Sequence, residues 1–141
     1  MKYLFLLSIF LVAAKGCGDK TVEGIIQAEM GEEVTLAIGE ALQIKGSKSD
    51  GFLFLTVERD SRCPKGVNCI QAGAATIAIE EMSGKPRQVT IPADARSKPN
   101  FSIKGAKVSI LGLDPYPQNG SKTAPEDYRL RVMLSEGAPN M

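Results

Sequence analysis

The feature that most restricts this chain is a period-two alternation of apolar residues, repeated in short runs separated by turn residues. EVTLAI (33–38) places Val34, Leu36 and Ile38 on one face, and ALQIKG (41–46) repeats the pattern with Leu42 and Ile44. ATIAIEE (75–81) turns Ile77 and Ile79 inward, RQVTIP (87–92) is a short strand, and DYRLRVML (127–134) aligns Tyr128, Leu130, Val132 and Leu134, with Arg129 and Arg131 toward solvent. Successive strand side chains point to opposite faces, so such runs read as half-buried strands.

Two runs are apolar on both faces. FLFLTVE (52–58) sets Phe52, Phe54 and Thr56 against Leu53, Leu55 and Val57, the pattern of a central or covered strand. In KVSILGLDPYP (107–117), Val108, Ile110 and Gly112 oppose Leu111 and Leu113, and Gly112 is a candidate bulge. Residues 21–31 read equally as a short helix or an early strand. Helical periodicity is weak elsewhere. Regular short strands of this kind suit a sandwich or a barrel. The expected fold is all-β, an antiparallel β-sandwich, immunoglobulin-like or related, with about seven or eight strands.

Ahead of this pattern, Lys2 precedes an apolar run from Tyr3 to Ala14 broken only by Ser8. As a helix the run spans about 18 Å, short of a hydrocarbon core of about 30 Å, and it reads as a secretory signal peptide. Cys17 follows Ala14-Lys15-Gly16, which resembles the bacterial lipoprotein processing box, where the cysteine becomes the acylated first residue. Lys15 departs from the small uncharged residue usual there, and simple cleavage after Ala14 or Gly16 is the alternative. The expected organisation is a signal peptide over 1–16, an anchor and tether over 17–24, and a single sandwich domain over 25–141.

The chain has three cysteines, and an odd count in an exported protein asks which thiol is left over. Lipidation of Cys17 leaves Cys63 and Cys69 as a pair in DSRCPKGVNC (60–69). The C-x5-C spacing, with Pro64 and Gly66 inside it, reads as a disulfide-stapled turn, with free thiols as the alternative. A zinc site wants four ligands, and the chain has no histidine, so no metal site is expected.

The missing histidine also removes the commonest nucleophilic and acid–base machinery. The carboxylate pairs Glu32–Glu33 and Glu80–Glu81 sit on adjacent strand residues, facing opposite ways. No phosphate-binding glycine loop is present. Setting aside Lys2 and Lys15 leaves 15 basic residues against 16 acidic, a balance that does not point to nucleic acid. No catalytic residue and no cofactor is expected. The candidate binding residues are Asp60, Arg62 and Tyr116. Asp60 reads as a turn cap. Arg62 reads either as an ion-pair partner of Asp60 or Glu58 or as an exposed handle. Tyr116, between Pro115 and Pro117, reads either as a cover over the core or as an aromatic on a stiffened recognition loop.

Asp60-Ser61-Arg62-Cys63-Pro64, Gly66-Val67, Cys69 and Ala72-Gly73 together resemble a pattern in small uncharacterised secreted proteins and lipoproteins of Bacteroidetes-like bacteria. Leu113, Pro115-Tyr116-Pro117 and Asp127-Tyr128 resemble the downstream half of those domains. The resemblance implies a β-rich envelope domain and no assigned reaction. The expected function is a lipid-anchored cell-envelope domain, non-enzymatic, with a structural or accessory role. It would be held to outer-membrane lipid through Cys17, facing either the periplasm or the outside, or secreted if Cys17 is not lipidated. The alternative is a binding module for a protein, peptide or glycan, using the 60–69 and 113–120 loops from one end of the sandwich.

Overall fold

The structure is a computed structural model and describes residues 23–94 and 96–137. The signal segment read at 1–16, and Cys17 with the tether up to residue 22, lie outside the described residues.

Nine strands are present among the described residues: β1 Gly24–Ala28, β2 Glu33–Ala37, β3 Glu40–Ile44, β4 Gly51–Asp60, β5 Ala74–Glu81, β6 Pro86–Pro92, β7 Asn100–Ile103, β8 Ala106–Asp114 and β9 Arg129–Glu136. They form a five-stranded sheet in the order β1-β3-β4-β5-β6 and a four-stranded sheet in the order β2-β9-β8-β7. The chain is therefore a two-sheet β-sandwich. The segment left open between helix and strand is β1. β2 belongs to the opposite sheet, so the chain crosses the sandwich and returns before β3 begins. β3 thus runs in the same direction as β1, and the two pair in parallel. β7 escaped the sequence reading because its four residues carry only Phe101 and Ile103 as an apolar signal.

The core lies between the sheets. Phe52, Phe54, Ile77 and Ile79 of the first sheet and Val108, Ile110, Leu130, Val132 and Leu134 of the second are almost fully buried. Phe52 of β4 meets Phe101 of β7 edge-on, with ring centres 5.3 Å apart, an arrangement that suits aromatic quadrupoles.

Three register shifts change which residues face inward, two in β4, at Leu55 and at Glu58, and one in β8. The β4–β5 register shifts between Phe54 and Thr56, so Leu55 is the extra residue. Beyond it Val57, not Thr56, packs against the core. The expected grouping of Phe52 and Phe54 with Thr56 is thereby corrected: one additional residue inverts the alternation downstream of it. β8 repeats the device. Its register with β9 shifts between Ile110 and Gly112, and Leu113 joins Ile110 in the core instead of opposing it. β4 is the middle strand of its sheet, which accounts for its two apolar faces.

Candidate functional site: the stapled end of the sandwich

β4 ends at Asp60, and the chain enters the DSRCPKGVNC segment. Cys63 and Cys69 are joined as a disulfide with Cα atoms 6.0 Å apart, within the usual span. The staple closes a small ring around Pro64–Asn68. Backbone bonds fasten the base of that ring. The Ser61 N–H donates to Ala74 O and the Cys63 N–H to Ala72 O, both at 2.8 Å. Between those two acceptors sits Gly73, with φ +75° and a position where a Cβ would lie 1.9 Å from Ser61 O. Only glycine fits so close an approach in the left-handed region.

Beneath the ring lies a polar network. Arg62 is 5% exposed, the one charged residue buried among the described residues. Its Nε donates to Asp60 Oδ1 at 2.8 Å and its Nη2 to Asp60 Oδ2 at 2.6 Å, a two-pronged fork. Nη1 donates to Leu113 O at 2.7 Å and Nη2 also to Pro115 O at 3.1 Å. The Tyr128 hydroxyl donates to Asp60 Oδ2 at 3.2 Å. Among the described residues no buried side-chain nitrogen or oxygen lacks a partner. One guanidinium thus ties the end of β4 in one sheet to the end of β8 in the other, and Tyr128 adds the start of β9.

Burial is the strongest single influence on Asp60 and pushes its carboxyl upward. The hydrogen bonds and charge of Arg62, its backbone N–H and the Tyr128 hydroxyl together outweigh it and hold Asp60 below the usual carboxylate range. Tyr128 is raised, first by burial and then by the charge and hydrogen bond of Asp60.

The two loops singled out in the sequence therefore lie side by side. The Lys65 N–H donates to Pro117 O at 3.0 Å, and Lys65 forms an isolated bridge with Gln118. Tyr116 is half-buried. Its ring centre lies 5.0 Å from the Arg62 guanidinium and 5.7 Å from Lys65 Nζ, so two cations lie within cation–π reach of it. Arg62 is not an exposed handle, because its guanidinium is taken up by Asp60 and two carbonyls. Asp60 is withdrawn for the same reason.

A shallow depression of about 600 Å³ opens beside the network, lined in part by Glu58, Pro64, Pro117, Lys122 and Tyr128. On the other side of Arg62 a narrower one of about 220 Å³ runs between Tyr116, Ile91 and Leu111. Two of the exposed residues here are large and apolar. Val67 is 39% exposed, and Ile70, beside the staple, is 105% exposed.

Sequence reasoning missed Tyr128 as a member of the site, placing it only as an inward residue of its strand. A buried tyrosine hydroxyl needs a partner, which was the available signal. The carbonyls of Leu113 and Pro115 carry no signal in side-chain identity. Among the described residues no group of three or more His, Cys, Asp or Glu side chains is arranged to hold a metal ion. Comparison with family models, with curated proteins and with solved structures finds no match for the chain.

Proposed function

We propose that the chain is a lipid-anchored cell-envelope domain with a non-enzymatic, accessory role, working by holding a rigid end-surface in place. The observation that carries this reading is the Asp60–Arg62–Tyr128 network. Asp60 and Arg62 bond to one another and to backbone carbonyls, and so hold two loops together. What they present outward is the stapled ring and the Tyr116 loop, with a conformation already fixed before any partner arrives. The apolar run up to Ala14 and the cysteine at 17 support an anchored, extracytoplasmic location, which also suits a disulfide.

A second reading is favoured by the depression beside Pro117 and Tyr128: a binding module for a protein, peptide or glycan. Loops at one end of a sandwich are a common place for recognition.

Mass spectrometry of the protein produced in a lipoprotein-processing bacterium tests the first reading. A diacylglyceryl adduct on Cys17 is expected. An unmodified chain beginning at Lys15 or Cys17 would sink it.

A further inference from the structure

The exposed apolar tip and the path of the chain toward its N-terminus point to the same end of the sandwich. In the second sheet, Ala37 is level with Arg129, and Arg129 is level with Asp114. Asp114 lies between Leu113 and Pro115, the two residues whose carbonyls hold Arg62. Two residues beyond Ala37, the Gly39 carbonyl accepts the Glu23 N–H at 2.9 Å. In the first sheet β1 pairs in parallel with β3 and β3 is antiparallel to β4, so the Gly24 end of β1 points the way β4 runs, level with Phe54, whose carbonyl accepts the Gly39 N–H at 2.8 Å, and short of Asp60. The chain therefore enters the fold from the side of the stapled end, part-way along β4. From Cys17 to Glu23 it can reach about 20 Å at full extension, so a bilayer holding Cys17 lies close to that end.

The two loops at that end are free of acids, with Glu58 of β4 beside Pro64 and Pro117. Residues 63–73 carry Lys65 and no acid, and residues 115–123 carry Lys122 and no acid. The acids Glu126 and Asp127 belong to the 3-10 turn Pro125–Asp127, outside both loops. Val67 within the ring and Ile70 just after it are exposed, and the disulfide restrains the backbone between Cys63 and Cys69, so the ordering cost on that loop is reduced when they enter an apolar phase. Apolar side chains gain by leaving water, and a lysine beside them can remain with the headgroups.

We infer that the stapled end rests on the bilayer that holds the anchor, with Val67 and Ile70 entering its headgroup region and Lys65 beside the lipid phosphates. The inference rests on the lipid-anchor reading above. Under it, the staple is a membrane-contact device, and the body of the domain stands with its Ser83 end pointing away, since Glu81 pairs with Phe52 near the start of β4.

The chain has no tryptophan, so a single introduced indole reports its own surroundings. The I70W and S83W variants, both at exposed positions, are made as full chains in a lipoprotein-processing host. Each is purified and reconstituted into phosphatidylethanolamine–phosphatidylglycerol vesicles, with and without brominated acyl chains. I70W is expected to emit to the blue of S83W and to be quenched severalfold more by the brominated lipid. Equal, weak quenching of both, with Cys17 shown to be acylated, overturns the membrane contact and leaves the anchor standing. A chain without lipid on Cys17 overturns both. An I70W emission shifted to the blue in native membranes but unquenched in vesicles would assign the tip to a protein partner, and likewise overturns the bilayer contact.

Discussion

Asp60 and Tyr128, 68 residues apart in the chain, meet at 3.2 Å and join the end of β4 to the start of β9. Arg62 completes the junction from the same side as Asp60, whose carboxylate is the acceptor that Arg62 and Tyr128 share.

Replacing Arg62 by alanine leaves the Asp60 carboxylate buried without its cation and frees the carbonyls of Leu113 and Pro115. A loss of about 3–5 kcal/mol is expected, read as a lower midpoint in urea unfolding. Arg62→Lys should recover little, because one ammonium cannot reproduce the planar fork to the carboxylate and two carbonyls. Adding Asp60→Asn to Arg62→Ala should restore part of the loss by removing the stranded charge. If the double variant is no more stable than the single one, the buried charge is not what the arginine compensates.

The pH dependence follows from the direction of the Asp60 shift. Its carboxyl is held below its unfolded value, so its contribution is complete above about pH 4, the ordinary aspartate range, and is lost as pH falls through the folded value. Thermal midpoints should drop on acidification below that range, and Asp60→Asn should flatten the drop. Tyr128 works in the other sense. Its hydroxyl is raised, so its share is complete below about pH 10 and is lost as pH rises through the folded value. Tyr128→Phe should remove that alkaline component.

Gly73 and Gly66 offer a controlled pair. Both have positive φ, +75° and +83°, but a Cβ at Gly73 would collide with Ser61 O at 1.9 Å, whereas nothing lies within 4 Å of one at Gly66. Gly66→Ala should cost about 1 kcal/mol, from backbone strain alone. Gly73→Ala should cost at least about 2 kcal/mol more, because backbone atoms must move. Equal losses in chemical unfolding would show that the Ser61 approach yields freely.

Removing both cysteines of the staple, C63S/C69S, should lower stability by about 2 kcal/mol, the loop entropy of so short a ring. Because the base of the ring is also fastened by backbone bonds to Ala72 and Ala74, the larger change should be local. Amide exchange at Lys65 and Val67 is expected to speed up while that of β4 and β5 changes only in proportion to global stability. Uniform acceleration throughout the sandwich would contradict this.

Most strands were legible because alternation survives any detail of packing: Val34 and Leu36, Ile77 and Ile79, and Leu130, Val132 and Leu134 all face the core as their spacing requires. The alternation failed downstream of Leu55 and Leu111, where a bulge shifts the count by one. A bulge is chosen by the register of two strands, and neither strand records it alone. Arg62 was singled out, but its direction was open, since arginine is ordinarily at the surface. Only its neighbours decide otherwise: Asp60 two positions away, which was visible, and two backbone carbonyls more than fifty positions away, which were not.

The parallel pairing of β1 with β3 has a mechanical consequence. A pull on the chain ahead of Glu23 acts along the length of β1, against the five register pairs from Gly24–Glu40 to Ala28–Ile44. Tension is then shared across the strand as shear and does not open the bonds one after another. Detaching β1 from that end therefore requires its five pairs with β3 to give way together.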